Sequence, residues 1–120
     1  MDLTHITAFT AALQRKDLDA MLTHMADDIT LKTPLAAEPF RGKAAIRPVV
    51  QALLGVVDRF DFREILQGPR HVAAFFGVTA GATELDGVDY WLLDDAGLIR
   101  EMTVLWRPLP AIQAVAAKLG

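Results

Sequence analysis

Between His71 and Thr83 the chain carries no Asp, Glu, Lys or Arg, and neither alternating face of this segment is made for water. One face reads Val72, Ala74, Phe76, Val78, Ala80 and Ala82; the other reads His71, Ala73, Phe75, Gly77, Thr79 and Gly81. Side chains alternate across a strand, so a strand with two apolar faces must be covered twice. The segments before it supply helices enough for one side only. The other side wants a partner, and the commonest solution is a two-fold homodimer joined through the outer face of the sheet. Gly77 and Gly81 permit the strand to bend, and a strongly bent sheet encloses a cavity.

The rest of the chain supplies the cover. Ile6, Phe9 and Leu13 share one face of a first helix over 4–15, with Thr4 or Asp2 as cap. Asp17 is placed as the N-cap of a second helix whose apolar face is Leu18, Met21, Leu22 and Met25. Ile29 to Thr33 reads as a short strand ended by Pro34. A third helix over 42–54 presents Ile46, Val49, Val50, Leu53 and Leu54, with Pro48 inside it. Proline has no N–H for the Ala44 carbonyl, so a kink or restart is expected there. Strands follow over 60–67, 71–83, 88–93 and 98–107, separated by Gly-Pro, Asp-Gly and Asp-Asp-Ala-Gly turns. A helix after Pro108 and Pro110 closes the chain. Residues 1–120 thus read as a single α+β domain, a cone-shaped roll of mainly antiparallel sheet wrapped around three N-terminal helices.

Composition narrows the function classes. Hydrophobic residues make up 52% and charged residues 22% of the 120, with mean hydropathy +0.29, apolar for a small soluble chain. The net charge of −3, with Lys and Arg spread along the chain, argues against nucleic acid. No run approaches the roughly 18 apolar residues that cross a bilayer. The opening Met1-Asp2-Leu3-Thr4-His5 lacks the layout of a secretion signal, and there is no cysteine, so a cytoplasmic protein without disulfides is expected. Nothing indicates a cofactor, and three scattered histidines do not form a metal site.

Several stretches then carry a family likeness: Ala11-Ala12-Leu13 with Asp17-Leu18-Asp19, Ala26-Asp27-Asp28-Ile29-Thr30, Glu38-Pro39-Phe40-Arg41-Gly42 with Ala45-Ile46-Arg47, Val88-Asp89-Tyr90-Trp91, and Ala96-Gly97-Leu98-Ile99. The chain resembles the nuclear transport factor two-like superfamily, in particular its ketosteroid isomerase and SnoaL-like polyketide cyclase branches. The resemblance implies a conical, cystatin-like fold. In ketosteroid isomerase an aspartate moves the proton while a tyrosine and a protonated aspartic acid hold the oxyanion. Laid on this chain, the oxyanion acid falls on Asp89, the tyrosine on Phe9 and the base on Thr33. Phenylalanine has no hydroxyl, and threonine is no base at neutral pH.

Asp89 also stands out on physical grounds. Alternation places it with Gly87, Trp91 and Leu93, and the next strand offers Met102, Val104 and Trp106 to the same space. A carboxyl among indoles and aliphatic groups loses hydration, which raises its pKa and suits it to donate to, or accept a proton from, a carbonyl compound. The alternative is an aspartate that supports a hairpin after an Asp86-Gly87 turn or pairs with an arginine. Arg100 falls on the same face as Met102, where it would hold Asp89 ionised, or else lies at the rim in water. His24 leans toward the cavity mouth or faces solvent; His5 and His71 are expected at the surface.

Phe9, Thr33, Trp91, Met102, Val104 and Trp106 are therefore the expected ligand-binding residues around a catalytic Asp89, for a small hydrophobic, carbonyl-type molecule. Two functions fit. One is isomerisation or cyclisation with Asp89 as acid or base, resembling the polyketide cyclases more than the steroid isomerases. The other is a non-catalytic hydrophobic-ligand-binding or dimer-scaffold module of the same fold. Epoxide hydrolysis ranks last, because no second inward carboxylate accompanies Asp89.

Overall fold

In the computed structural model, which describes residues 2–120, the segment rich in apolar residues on both faces is an inner strand of a six-stranded sheet. The chain runs α1 (Thr4–Gln14), α2 (Leu18–Thr23), β1 (Met25–Lys32), β2 (Phe40–Arg41), α3 (Lys43–Val56), β3 (Arg59–Gln67), β4 (His71–Ala80), β5 (Thr83–Leu93), β6 (Ile99–Arg107) and α4 (Leu109–Leu119). The sheet order is β2-β1-β6-β5-β4-β3. Every neighbour is antiparallel except β1, which lies parallel to β6. The helices and the inner sheet face share one core that runs from Ile6, Phe9 and Leu13 through Met21, Ile29 and Ile46 to Val72, Trp91 and Val115. No helix among the described residues is long and apolar enough to cross a membrane.

Of the two expected caps, Asp17 caps α2 by accepting the Ala20 N–H at 3.1 Å, whereas the N-cap of α1 is Leu3, without a side-chain cap bond; Asp2, one residue before it, accepts the Thr4 N–H at 2.9 Å. Pro48 neither ends nor restarts its helix, because α3 runs unbroken from Lys43 to Val56. Its apolar face, with Ile46 and Val50 buried, outweighs the one hydrogen bond that proline forfeits. Met25 matches the helical spacing from Met21, yet it opens β1, four residues earlier than the sequence pattern suggests.

The largest departure concerns Asp86-Gly87. These residues form no turn. They lie within β5, opposite Gly77 and Phe76 of β4, and the reversal falls at Gly81-Ala82, where Gly81 adopts a positive φ of 63°. Glycine takes that conformation without steric cost. Gly87 serves packing instead: a Cβ there would lie 2.5 Å from Phe76 Cζ and 2.8 Å from Trp106 Cδ1. Two rings occupy the space that a side chain would need. Lengthening β5 in this way puts Asp89 in mid-strand, away from any hairpin end.

The inner face of β5 carries Leu85, Gly87, Asp89, Trp91 and Leu93, all buried. On the outer face, Phe75, Val88 and Leu105 stand in one cross-strand row, with Tyr90 beside Ala73 and Thr103. Phe75, Tyr90 and Leu105 are 39%, 44% and 58% exposed, so the chain alone leaves this apolar face uncovered. At one end of that face Asp86 joins two arginines, accepting from Arg63 at 2.7 Å and from Arg107 at 3.1 Å.

Candidate ligand pocket around Asp89

A cavity of about 230 Å³ opens between the inner sheet face and the helices. Helix α1 contributes Phe9 and Leu13, α2 contributes Met21, and α3 contributes Val49, Val50 and Leu53. The sheet supplies Leu31, Phe60, Phe76, Asp89, Met102, Val104 and Trp106, and Leu119 of α4 completes the enclosure. The lining residues Leu35, Ala36 and Ala52 are exposed and mark the side that opens to solvent. Among the described residues Asp89 is the only charged one in the lining and the one buried polar side chain of the core, at 4% exposure.

Register explains why Asp89 faces this space. Asp89 pairs with Val104, Trp91 with Met102 and Gly87 with Trp106, so the inward residues of β5 and β6 stand side by side. The carboxyl has no hydrogen-bond or charge partner among the described residues, and loss of hydration alone pushes it up to about 7. At neutral pH it therefore exists in both forms. The acid can donate to a carbonyl oxygen, and the carboxylate can accept a proton from carbon.

The remaining expected residues divide. Phe9, Thr33, Met102, Val104 and Trp106 line the cavity with Asp89. Trp91 does not. It is wholly buried behind the wall, edge-on to Phe9 with ring centroids 5.6 Å apart. It shares a face with Asp89, but it lies further along the strand, beneath α1. The indole N–H groups of Trp91 and Trp106 are buried and have no acceptor among the described residues. Thr33 keeps a local bond, its Oγ1 accepting the Leu35 N–H at 3.2 Å.

Arg100 does not reach the cavity. The register between β5 and β6 shifts so that Leu92 pairs with Glu101 and Leu93 with Ile99, and Arg100 is the exposed bulged residue. His24 turns to neither the cavity nor open water. It pairs with His5, Nδ1 to Nδ1 at 2.9 Å, and both rings are half-buried. His71 stacks on Tyr90 at the outer sheet face, with centroids 4.5 Å apart. The sequence pattern missed the segment 34–36, Leu53 and Leu119 as pocket residues. An irregular loop has no period to betray which way it faces.

A curved six-stranded sheet closed by helices around an apolar hollow defines a conical, cystatin-like α+β fold. Residues 6–102 match the SnoaL-like domain family, and the chain belongs to that family. A curated relative, the steroid Delta-isomerase of Nocardioides simplex, is 31% identical over 87 residues, which cover 69% of this chain and 71% of the relative. Among solved structures, a steroid delta-isomerase from Pseudomonas aeruginosa is similar with a TM-score of 0.88 and 25% identity, over 97% of this chain and 86% of that one. A protein with a cystatin-like fold from Silicibacter pomeroyi gives 0.83 at 21% identity, over 98% and 86%, a likeness of fold alone.

Proposed function

We propose that this chain binds a small, apolar, carbonyl-bearing compound in the cavity and isomerises or cyclises it, with Asp89 as the acid or base. The single observation that carries the reading is an unpartnered carboxyl, poised near neutrality, facing an otherwise apolar hollow. In an isomerisation the carboxylate would take a proton from the carbon next to the carbonyl, leaving an enolate and a neutral acid. Returning that proton to a different carbon of the conjugated system would complete the step with no other reagent. A dry site strengthens the interaction of the acid with a developing oxyanion.

The second reading is a binding module of the same fold with no chemistry. It is favoured by Phe9 and Thr33, which stand where the resemblance implies a tyrosine and a general base. A panel of ketosteroids, polyketide-like ketones and epoxides separates the two. Turnover that Asp89→Asn abolishes, with ligand affinity largely retained, supports the enzyme. Compounds that raise the melting temperature with none of the panel converted support the module.

In either case we propose a homodimer through the outer sheet face. The row of Phe75, Val88 and Leu105, with Tyr90 beside it, forms a contiguous apolar strip of the kind that second copies cover.

A further inference from the structure

Away from the cavity, the fold brings together two titratable side chains that the proposed function leaves unused. His5 sits in the first turn of α1, and His24 follows the last turn of α2. Their Nδ1 atoms are 2.9 Å apart, and the ring centroids are 5.2 Å apart with the planes turned 51°. At this nitrogen separation two imidazoles cannot set their centroids much further apart, so each Nδ1 points straight at the other ring. Rings aimed at a common metal ion would meet at an angle and lie closer. The straight line is that of an N–H···N hydrogen bond, in which one Nδ1 donates and the other accepts.

The bond fastens α1 to the sheet. The His24 carbonyl accepts the Ile99 N–H at 3.1 Å, which ties this residue to the start of β6. Gly97 of the β5–β6 turn lies against the His5 ring, where a Cβ would stand 3.5 Å from Cδ2. The helix that His5 opens also carries Phe9 and Leu13 of the cavity wall.

Proton count decides whether the line can hold. A first proton, added at the outer nitrogen of the donor ring, makes the bond charge-assisted and stronger. A second puts two N–H groups and two positive charges face to face, with no acceptor left between them. The surrounding charges do not offset this. Arg15 adds to the positive field at His24. Asp2 is drawn to His5, but its carboxylate is already engaged by the N–H and hydroxyl of Thr4. In the β5–β6 turn Asp94 accepts the Ala96 and Leu98 N–H groups, and Asp95 is exposed. Near α2 and on β1, Asp17 pairs with Arg15, Asp19 with Arg47 and Asp27 with Lys43.

We propose that His5 and His24 form a proton-operated latch, which holds the start of α1 on the sheet until both rings are charged and then releases it.

Histidine ring-nitrogen NMR and amide exchange test the latch on the whole chain. At about pH 7 a scalar coupling across the hydrogen bond should join the two Nδ1 nuclei, and by about pH 4 it should vanish. Over the same range the exchange protection of the Thr7 to Leu13 amides, corrected for intrinsic rates, should fall about tenfold. That is the equivalent of one hydrogen bond to a charged group. His24→Asn sets an amide where Nδ1 stands, which donates to a neutral ring or accepts from a charged one, so its protection should stay level. A wild type without the coupling at neutral pH overturns the latch, and so does a coupling that persists unchanged in acid. A fall in protection that His24→Asn shows equally overturns it too. Should that variant fail to fold, the wild-type coupling still decides.

Discussion

Raising the pH from 4 to 8 should destabilise this protein through Asp89, and the size of the effect follows from its burial. Desolvation lifts the carboxyl from an ordinary 3.8 to about 7, the side chain lying buried in the cavity wall. Below about pH 4 the folded and unfolded chains both hold the proton, and the group contributes nothing to the difference. Between about pH 4 and 7 the unfolded chain releases the proton while the folded one keeps it, so stability falls as pH rises. Above about pH 7 the loss is complete, and at roughly 1.4 kcal/mol per pH unit it amounts to about 4 kcal/mol. Asp89→Asn cannot ionise and lacks this linkage, while other titrating groups remain in both proteins and cancel. Urea unfolding of the two proteins across this range, read as wild-type minus variant stability, should show a decline of that order that levels off above pH 7. A difference that stays flat, or that grows in favour of the wild type as pH rises, would refute the claim that this carboxyl is held away from water.

Three further outcomes are expected. Gly87→Ala forces Phe76 and Trp106 out of the space they share and should cost about 1–3 kcal/mol of stability by urea unfolding, whereas an unchanged midpoint would mean that the rings can yield freely. His24 is held below its ordinary 6.5, by desolvation and then by His5 and Arg15, so histidine-resolved NMR should find it titrating below that value. The folded chain then binds fewer protons than the unfolded one below pH 6.5, so this histidine contributes nothing above that pH and costs stability as pH falls below it; a midpoint at or above 6.5 would contradict the pairing. In analytical ultracentrifugation the wild type should sediment as a dimer and Leu105→Glu as a monomer; a wild-type monomer would leave the outer face without its proposed cover.

The architecture was legible because periodicity reports burial directly. Alternation in 88–93 placed Asp89 inward beside Trp91 and Leu93, and alternation in 99–107 set Met102, Val104 and Trp106 beside them, as the β5–β6 register has it. Short-range chemistry misled where tertiary packing overrode it. Asp86-Gly87 has the composition of a hairpin turn, but the rings of Phe76 and Trp106 need the glycine in mid-strand. Met25 lies one helical turn after Met21 and still belongs to β1, because α2 ends at Thr23. Trp91 satisfied the same pattern as Asp89 and ended behind the wall, since alternation gives a face but no depth. The His5–His24 pair joins residues far apart in sequence, which no local spacing encodes.

A carbon-detected NMR titration of the Asp89 side-chain carboxyl, with and without a bound aromatic ketone, tests the whole proposal most directly. The midpoint should lie near 7 in the free protein and move higher with the ketone present, because a carbonyl acceptor favours the protonated form. An ordinary carboxylic-acid midpoint that ignores the ketone would contradict it.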